Sequence, residues 1–193
     1  IHLTMLPLRP FLRHESQPPV SEEEGKWNKE MGQWWKQEEG YRSIQSTKPM
    51  ALAFALTDSP AGLAGWLADK YYRLGDTDKT TTMDGMIARF PFETILTQLS
   101  IYWFTGTINA ANTLYKAGPA EGSALLKAGE KVTVPVAYSE YPMDTLPITP
   151  RSWAERGYNI KRWRVMEKGG HFAAMEEPEL FADDVREAFA EML

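Results

Sequence analysis

The pattern of apolar positions changes once along the chain, near residue 130. Before that point, apolar residues recur every three or four positions, the spacing of a helix that packs one face against a core. We interpret the aromatic stripe of the first such helix, with Trp27, Trp34 and Trp35, as packing rather than as a ligand site. The spacing predicts helical segments at about 21–39, from residue 49 onward, from residue 60 onward and at about 92–116.

Capping and turn residues indicate where these helices begin and end. The run Ser21-Glu22-Glu23-Glu24 fits a capping box, and Asp58-Ser59-Pro60 fits a cap followed by proline at the first helical position. Gly40 is expected to end the first helix, and residues 41–49 are expected to lead into the second. Residues 75–89 are polar and rich in turn formers, so we expect a surface loop there.

After residue 130 the apolar positions alternate in the way that strands require. Val132, Val134 and Val136 predict one strand, and residues 159–167 predict a weaker one. A short helix around Trp153 lies between the two strands, and an amphipathic helix from 178 to 193 follows them. The chain also opens on what reads as the tail of a strand. This β-α-β-α order predicts an α/β fold with the closing units of a parallel sheet, preceded by a helical insertion.

Composition narrows the classes of function. A net charge of −5 provides no basic surface, so nucleic acid is excluded as a partner. There are no cysteines, which excludes disulfides and thiolate zinc sites, and no metal-ligand spacing occurs. No apolar run is long enough to span a membrane, and we do not expect the opening residues from Ile1 to act as a signal peptide. The chain as given is expected to be soluble. The sequence does not determine the compartment, and the cytoplasm is the favoured expectation.

The candidate chemistry lies at the ends of the two later strands. Asp144 follows the first strand, and His171 follows the second directly after Gly169 and Gly170. Ligands bind at this edge of open α/β sheets, and an acid beside a histidine can orient a general base. A turn histidine that only packs is the alternative. The order of acid and histidine matches the last two members of an α/β-hydrolase triad, but no nucleophile elbow is present in the chain.

Several ordered blocks of residues carry a resemblance to a known family. The strongest block is Gly169-Gly170-His171-Phe172-Ala173-Ala174-Met175-Glu176. The others are Gly40-Tyr41, Ile44-Gln45, Thr47-Lys48-Pro49, Ala55-Leu56-Thr57-Asp58-Ser59-Pro60, Gly62-Leu63-Ala64, Trp66, Tyr102-Trp103, Thr105-Gly106-Thr107-Ile108, Leu114-Tyr115-Lys116, Tyr141-Pro142 and Pro150-Arg151-Ser152-Trp153. Together they resemble the cap and C-terminal portion of microsomal-type epoxide hydrolases, in order along nearly the whole chain.

The resemblance implies a partial α/β-hydrolase fold and a two-step hydrolysis without a cofactor. In that family an aspartate attacks the epoxide and forms an ester, two tyrosines bind the epoxide oxygen, and a histidine paired with a carboxylate activates water. Carried over by residue, His171 is the base, Asp144 is its orienting acid, and Tyr41 and Tyr115 are the oxygen-binding tyrosines. The aspartate nucleophile has no match, so the chain is expected to be inactive alone. His2 and His14 are expected to be structural.

The resemblance also sets the expected organisation and partners. Residues 1–20 would be a strand tail and lead-in, 21–118 the helical cap region, and 119–193 the C-terminal part of the core. A small apolar epoxide and water are the expected substrates, and either a homodimer or the N-terminal half of the same protein would be the partner chain. A non-catalytic module that binds an apolar ligand or a protein stays open, because the nucleophile is missing. Another α/β hydrolase, acting on haloalkanes or esters, is disfavoured by the paired tyrosines.

Overall fold

The computed structural model describes residues 1–6, 18–81, 83–122, 126 and 129–192. The chain forms two compact units. The sheet unit consists of Ile1–Lys36 and Leu125–Leu193, and the helical unit consists of Gln37–Ala124. The helical unit lies largely within the segment expected to be the cap, while the first long helix lies mostly in the sheet unit. The lead-in with His14 falls largely outside the described residues.

The sheet unit contains a parallel three-stranded sheet in the order β1 (His2–Leu3), β2 (Val132–Glu140) and β3 (Tyr158–Val165). β2 is the middle strand, with Leu3 opposite Tyr138 on one side and Trp163 opposite Tyr138 on the other. Parallel strands align their carboxyl ends at one edge, so the segments after β2 and β3 leave the sheet on the same side. The predicted β-α-β-α order is therefore confirmed.

Helices α1 (Glu22–Glu38), α8 (Arg151–Gly157), α9 (Ala173–Glu176) and α10 (Pro178–Met192) complete this unit. The predicted capping box is confirmed, because Ser21 N–H donates to Glu24 Oε2 at 2.9 Å and Glu24 N–H donates to Ser21 Oγ at 3.2 Å. The other carboxylate oxygen of Glu24 accepts from Arg156 at 2.6 Å, and this contact ties α1 to α8. Trp27 packs edge-on against Trp153 in the core, as the interpretation of the aromatic stripe requires.

The helical unit contains α2 (Gly40–Thr47), α3 (Pro49–Asp58), α4 (Pro60–Leu74), α5 (Met83–Arg89), α6 (Phe92–Thr105) and α7 (Ile108–Ala120). Leu56, Leu63 and Ile108 form its buried core, and α7 packs against both α2 and α3. The predicted start of α4 is confirmed, since Ser59 Oγ accepts from the N–H of Gly62 at 3.0 Å. Among the described residues, no helix combines the length and apolar character needed to cross a bilayer.

Three expectations differ from the structure of the helical unit. Residues 40–47 form helix α2 instead of a lead-in, because Gln45 lies one turn from Tyr41 and both side chains contact α7. The expected loop at 75–89 ends in helix α5. The helical region at 92–116 is interrupted at Gly106, whose φ of +64° ends α6 with a left-handed residue.

Candidate active site

The loop that carries His171 depends on a glycine at position 169. Gly169 has a φ of +98°, which an L side chain rarely adopts. A Cβ atom there would lie 2.9 Å from Cδ1 of Tyr141 and 3.3 Å from Cγ of Glu177. Both backbone strain and lack of space therefore require glycine, and the turn brings the chain from β3 to His171 at the carboxyl edge of the sheet.

Glu176 holds the same loop from within. Its side chain is buried, and its two oxygens accept hydrogen bonds from the N–H groups of Gly170, at 2.9 Å, and of Phe172, at 2.8 Å. These are the backbone groups on either side of His171. Charge-assisted hydrogen bonds of this kind are short and strong, so the backbone around His171 is fixed independently of the imidazole.

Asp144 stands in the turn that follows β2. Its N–H donates to the carbonyl of Tyr141 at 3.2 Å, and the neighbouring Met143 N–H donates to the carbonyl of Gly169 at 3.0 Å, which joins the two loops. One carboxylate oxygen accepts from Leu146 N–H at 3.0 Å. The other lies 3.1 Å from Nδ1 of His171. The carboxylate is thus aimed at the imidazole by a backbone hydrogen bond on its far oxygen.

The charge balance around His171 favours its protonated form. Burial alone would lower the pKa of the imidazole, but the hydrogen bond and charge of Asp144, together with the charge of Glu176, outweigh it and raise the pKa above its ordinary value. The His171 side chain remains 28% exposed, and among the described residues none hydrogen-bonds its other ring nitrogen. Such a histidine can accept a proton from a molecule at the sheet edge and hold it.

The two tyrosines singled out from the sequence lie together in the helical unit. Tyr41 on α2 and Tyr115 on α7 pack edge to face, with ring centroids 6.0 Å apart. Burial raises the pKa of Tyr41 to about 12, and the neighbouring Tyr115 acts in the same direction. Neutral phenols are hydrogen-bond donors at pH 7, so the pair can bind a ligand oxygen.

Charged side chains also face Tyr41. The Nζ of Lys70, on α4, lies 4.3 Å from the centroid of the Tyr41 ring, close enough for a cation–π interaction. The nearby charge of Arg42 lowers the pKa of Tyr41, and that of Glu38 raises it. The ring is therefore contacted or influenced by side chains from α1, α2, α4 and α7.

The four residues that the sequence predicts for the active site lie in two separate pairs. His171 and Asp144 meet in the sheet unit, and Tyr41 and Tyr115 meet in the helical unit. Sequence reasoning assigned no role to Glu176, although this residue closes the strongest block of the resemblance. In the described parts of the chain, no cluster of three or more His, Cys, Asp or Glu side chains could hold a metal ion.

A second histidine–carboxylate pair lies in the same unit. Nε2 of His2 lies 2.8 Å from Oδ2 of Asp184, which also accepts from the hydroxyl of Ser139. The other oxygen of Asp184 accepts from Arg162 at 2.6 Å and Arg164 at 3.3 Å. Although burial opposes it, the donors Ser139, His2 and Arg162 lower the pKa of Asp184 to about 2. This cluster links all three strands to α10, so we assign His2 a structural role, as expected.

Comparison with known proteins identifies relatives over most of the chain. Epoxide hydrolase 1 of Sus scrofa is 38% identical over 152 residues, which make up 77% of this chain and 33% of that protein. The crystal structure of juvenile hormone epoxide hydrolase from the silkworm Bombyx mori superposes with a TM-score of 0.70 at 32% identity, covering 80% of this chain and 40% of that one. The chain spans about a third of the length of the curated relatives it matches.

A third comparison extends over the whole chain. The structure of Aspergillus niger epoxide hydrolase superposes with a TM-score of 0.73 at 26% identity, covering 100% of this chain and 46% of that one. No protein-family model matches the chain. The solved structures confirm the predicted partial α/β-hydrolase fold, and the named relatives confirm the predicted resemblance.

Proposed function

Since the resemblance to epoxide hydrolases of the α/β-hydrolase fold is established, we propose that this chain carries the water-activating and oxygen-binding residues of an epoxide hydrolase. The reaction opens an epoxide to a vicinal diol through an ester on an aspartate. The observation that carries the proposal is the 3.1 Å contact between His171 and Asp144 at the carboxyl edge of a parallel sheet. A small apolar epoxide and water are the substrates.

The first step of the proposed reaction forms the ester. A carboxylate oxygen attacks one epoxide carbon, the bond between that carbon and the epoxide oxygen breaks, and the oxygen leaves as an alkoxide. Tyr41 and Tyr115 donate hydrogen bonds to this oxygen, and one phenol transfers its proton. The paired, neutral phenols support this role, because donors already in position stabilise the developing charge without reorganisation.

The second step releases the diol. Water attacks the ester carbonyl while His171 takes one of its two protons. Collapse of the tetrahedral intermediate then breaks the ester bond to the alcohol oxygen, and the second water proton passes to that oxygen, which frees the diol and the aspartate carboxylate. The proton held by His171 then restores the phenol through solvent, so the protons balance. Asp144 supports this step by orienting the imidazole and stabilising its charged form.

The nucleophilic aspartate is not among the residues to which we assign a role. We propose that it belongs to a portion of the relatives that this chain does not match, either in the same protein or in a partner chain. The intact mass of the purified natural protein tests this first. A mass above that of 193 residues, or a second chain, is the expected result.

The decisive experiment separates the two chemical steps in the natural protein. Wild type, supplied with styrene oxide, is expected to form diol without accumulating a covalent adduct. His171→Gln is expected to form the adduct and then stall, so its mass rises by one substrate molecule on an aspartate. Asp144→Asn is expected to stall at the same step, because its imidazole is no longer oriented or stabilised in the charged form.

The tyrosines are tested in the first step. Tyr41→Phe and Tyr115→Phe are each expected to slow adduct formation by about a hundredfold, the typical loss for one such donor. Tyr72→Phe is the matched control, since that hydroxyl donates to the backbone carbonyl of Lys79 on the surface. Turnover of His171→Gln at the wild-type rate would refute the assigned base. If neither the wild type nor any variant forms adduct or diol, and the protein still binds apolar ligands, the result would favour the non-catalytic binding module.

A further inference from the structure

Helices α2 and α7 are joined by a second pair of polar residues, one turn away from the tyrosines. Nε2 of Gln45 donates to Oδ1 of Asn112 at 2.8 Å. Both side chains are almost completely buried, with Gln45 6% and Asn112 1% exposed. Gln45 lies four residues after Tyr41 and Asn112 lies three residues before Tyr115, so each amide shares a helix face with one tyrosine.

The amide pair is not what packing alone would select. The amide nitrogen of Asn112, Nδ2, is buried and has no hydrogen-bond partner among the described residues. Apolar side chains of similar size would fill the same space without leaving a buried donor unpaired. Apolar contacts, however, tolerate sliding and rotation, whereas an amide hydrogen bond is directional and breaks when the helices slip.

We propose that the Gln45–Asn112 hydrogen bond positions Tyr41 and Tyr115 by fixing the register of α2 against α7, so that the two phenols reach one epoxide oxygen together. This role rests on the function proposed above, because it assigns the tyrosines to one oxygen. The two amides act through the tyrosines and touch no substrate. They are positioning residues for the first chemical step.

The arrangement of α2 and α7 supports a role of the amide bond in aligning the two tyrosines. The two helices run in opposite directions here, since position 41 faces 115 and position 45 faces 112. A shift of about 1 Å along the helix axes, well below the rise of about 5.4 Å per turn, is enough to break the amide bond, and it would displace the rings by the same amount. The edge-to-face contact of the rings does not prevent such a slip, because aromatic pairs accept several arrangements between about 4.5 and 7 Å.

The test uses variants that separate packing from register. Gln45→Met and Asn112→Leu each leave one buried amide unpaired, so both are expected to lower the urea midpoint of unfolding. The double variant Gln45→Met/Asn112→Leu leaves none and is expected to recover stability. The exchanged pair Gln45→Asn/Asn112→Gln keeps a directional amide bond. Gln98→Met, on α6, is the control for loss of an amide elsewhere in the unit.

The readout is the titration of Tyr41, followed by NMR with tyrosine labelled at the ring carbon that bears the hydroxyl. In wild type this pKa is about 12, under the joint influence of burial, Tyr115, Arg42 and Glu38, with Lys70 over the ring. The apolar double variant is expected to bring it down toward the ordinary value of about 10, despite its stability. The exchanged pair is expected to keep the wild-type value.

In the natural protein, the apolar double variant is expected to slow adduct formation by about ten- to a hundredfold with the second step unchanged. An apolar double variant that keeps both the Tyr41 titration and the rate of adduct formation would overturn the proposal and make the amides part of the packing. If the single variants fail to fold, the two double variants still decide between these results. The Tyr41 titration involves no epoxide, so it can fail or succeed independently of the proposed function.

Discussion

The two histidine–carboxylate pairs of the sheet unit have similar contact distances, 3.1 Å for His171–Asp144 and 2.8 Å for His2–Asp184, but different surroundings. Asp184 is fully buried and shared among two arginines, a serine and a histidine. Asp144 faces one histidine, and that histidine is 28% exposed. A histidine beside an acid therefore does not identify a catalytic site by itself. What the carboxylate otherwise binds, and whether the imidazole reaches solvent, distinguishes the pair that we propose to be catalytic from the structural pair.

The largest expected difference between the pairs is in stability. Asp184→Asn should lower the free energy of unfolding by about 3–5 kcal/mol, because it removes the charge of a fully buried carboxylate that His2, Arg162 and Arg164 share. Asp144→Asn should cost about 1 kcal/mol, since its partner is partly exposed and can lose its proton. Urea unfolding measures both. Asp183→Asn, at an exposed neighbouring position, is the control, and an equal loss there and at Asp184 would contradict the structural role.

A substitution in the loop that holds His171 is expected to have a smaller effect on stability. Gly169→Ala should destabilise the protein by about 3 kcal/mol, from a positive φ and from the clash of the new Cβ with Tyr141. Gly106→Ala has a positive φ with open space around it and should cost only about 1 kcal/mol. Gly169→Ala should also weaken the His171–Asp144 bond, because the Gly169 carbonyl accepts from Met143. Equal losses at the two glycines would show that the close approach to Tyr141 contributes nothing.

The smallest expected differences between the two pairs are in how the stability of the protein depends on pH. The raised pKa of His171 means that its pair contributes stability below the ordinary value of about 6.5, and this contribution is lost as pH rises through the folded pKa. The pKa of Asp184, lowered to about 2, means the opposite. Its contribution is present above about 3.9 and is lost as pH falls toward 2.

NMR titration of the His171 imidazole separates the two contributions. Asp144→Asn should move the pKa of His171 downward, because burial then acts without the main compensating charge. Asp184→Asn should leave this pKa nearly unchanged, since Asp184 is not among the groups that shift it. An unchanged His171 titration in Asp144→Asn would contradict the pairing of these two side chains.

Local patterns in the sequence were sufficient for the strands and most helix starts, because period, caps and glycines act over a few residues. They also placed Asp144 and His171 at one sheet edge, because parallel topology aligns strand ends. They could not reveal the Gln45–Asn112 bond or the Asp184 cluster, whose partners are 67 and up to 182 residues apart. A buried polar residue on a helix face, one turn from Tyr41, was the available signal. Helix α2 was missed because packing on α7 completes its face.

The hydrogen bonds that Glu176 accepts from Gly170 and Phe172 have a consequence for which residues position 171 can hold. Since the carboxylate binds main-chain groups on both sides of position 171, the shape of the loop is specified without reference to the side chain between them. A different residue at position 171 is therefore compatible with the same loop conformation. Descendants or designed variants could exchange His171 for another group, and so acquire a new reaction, without first rebuilding the scaffold.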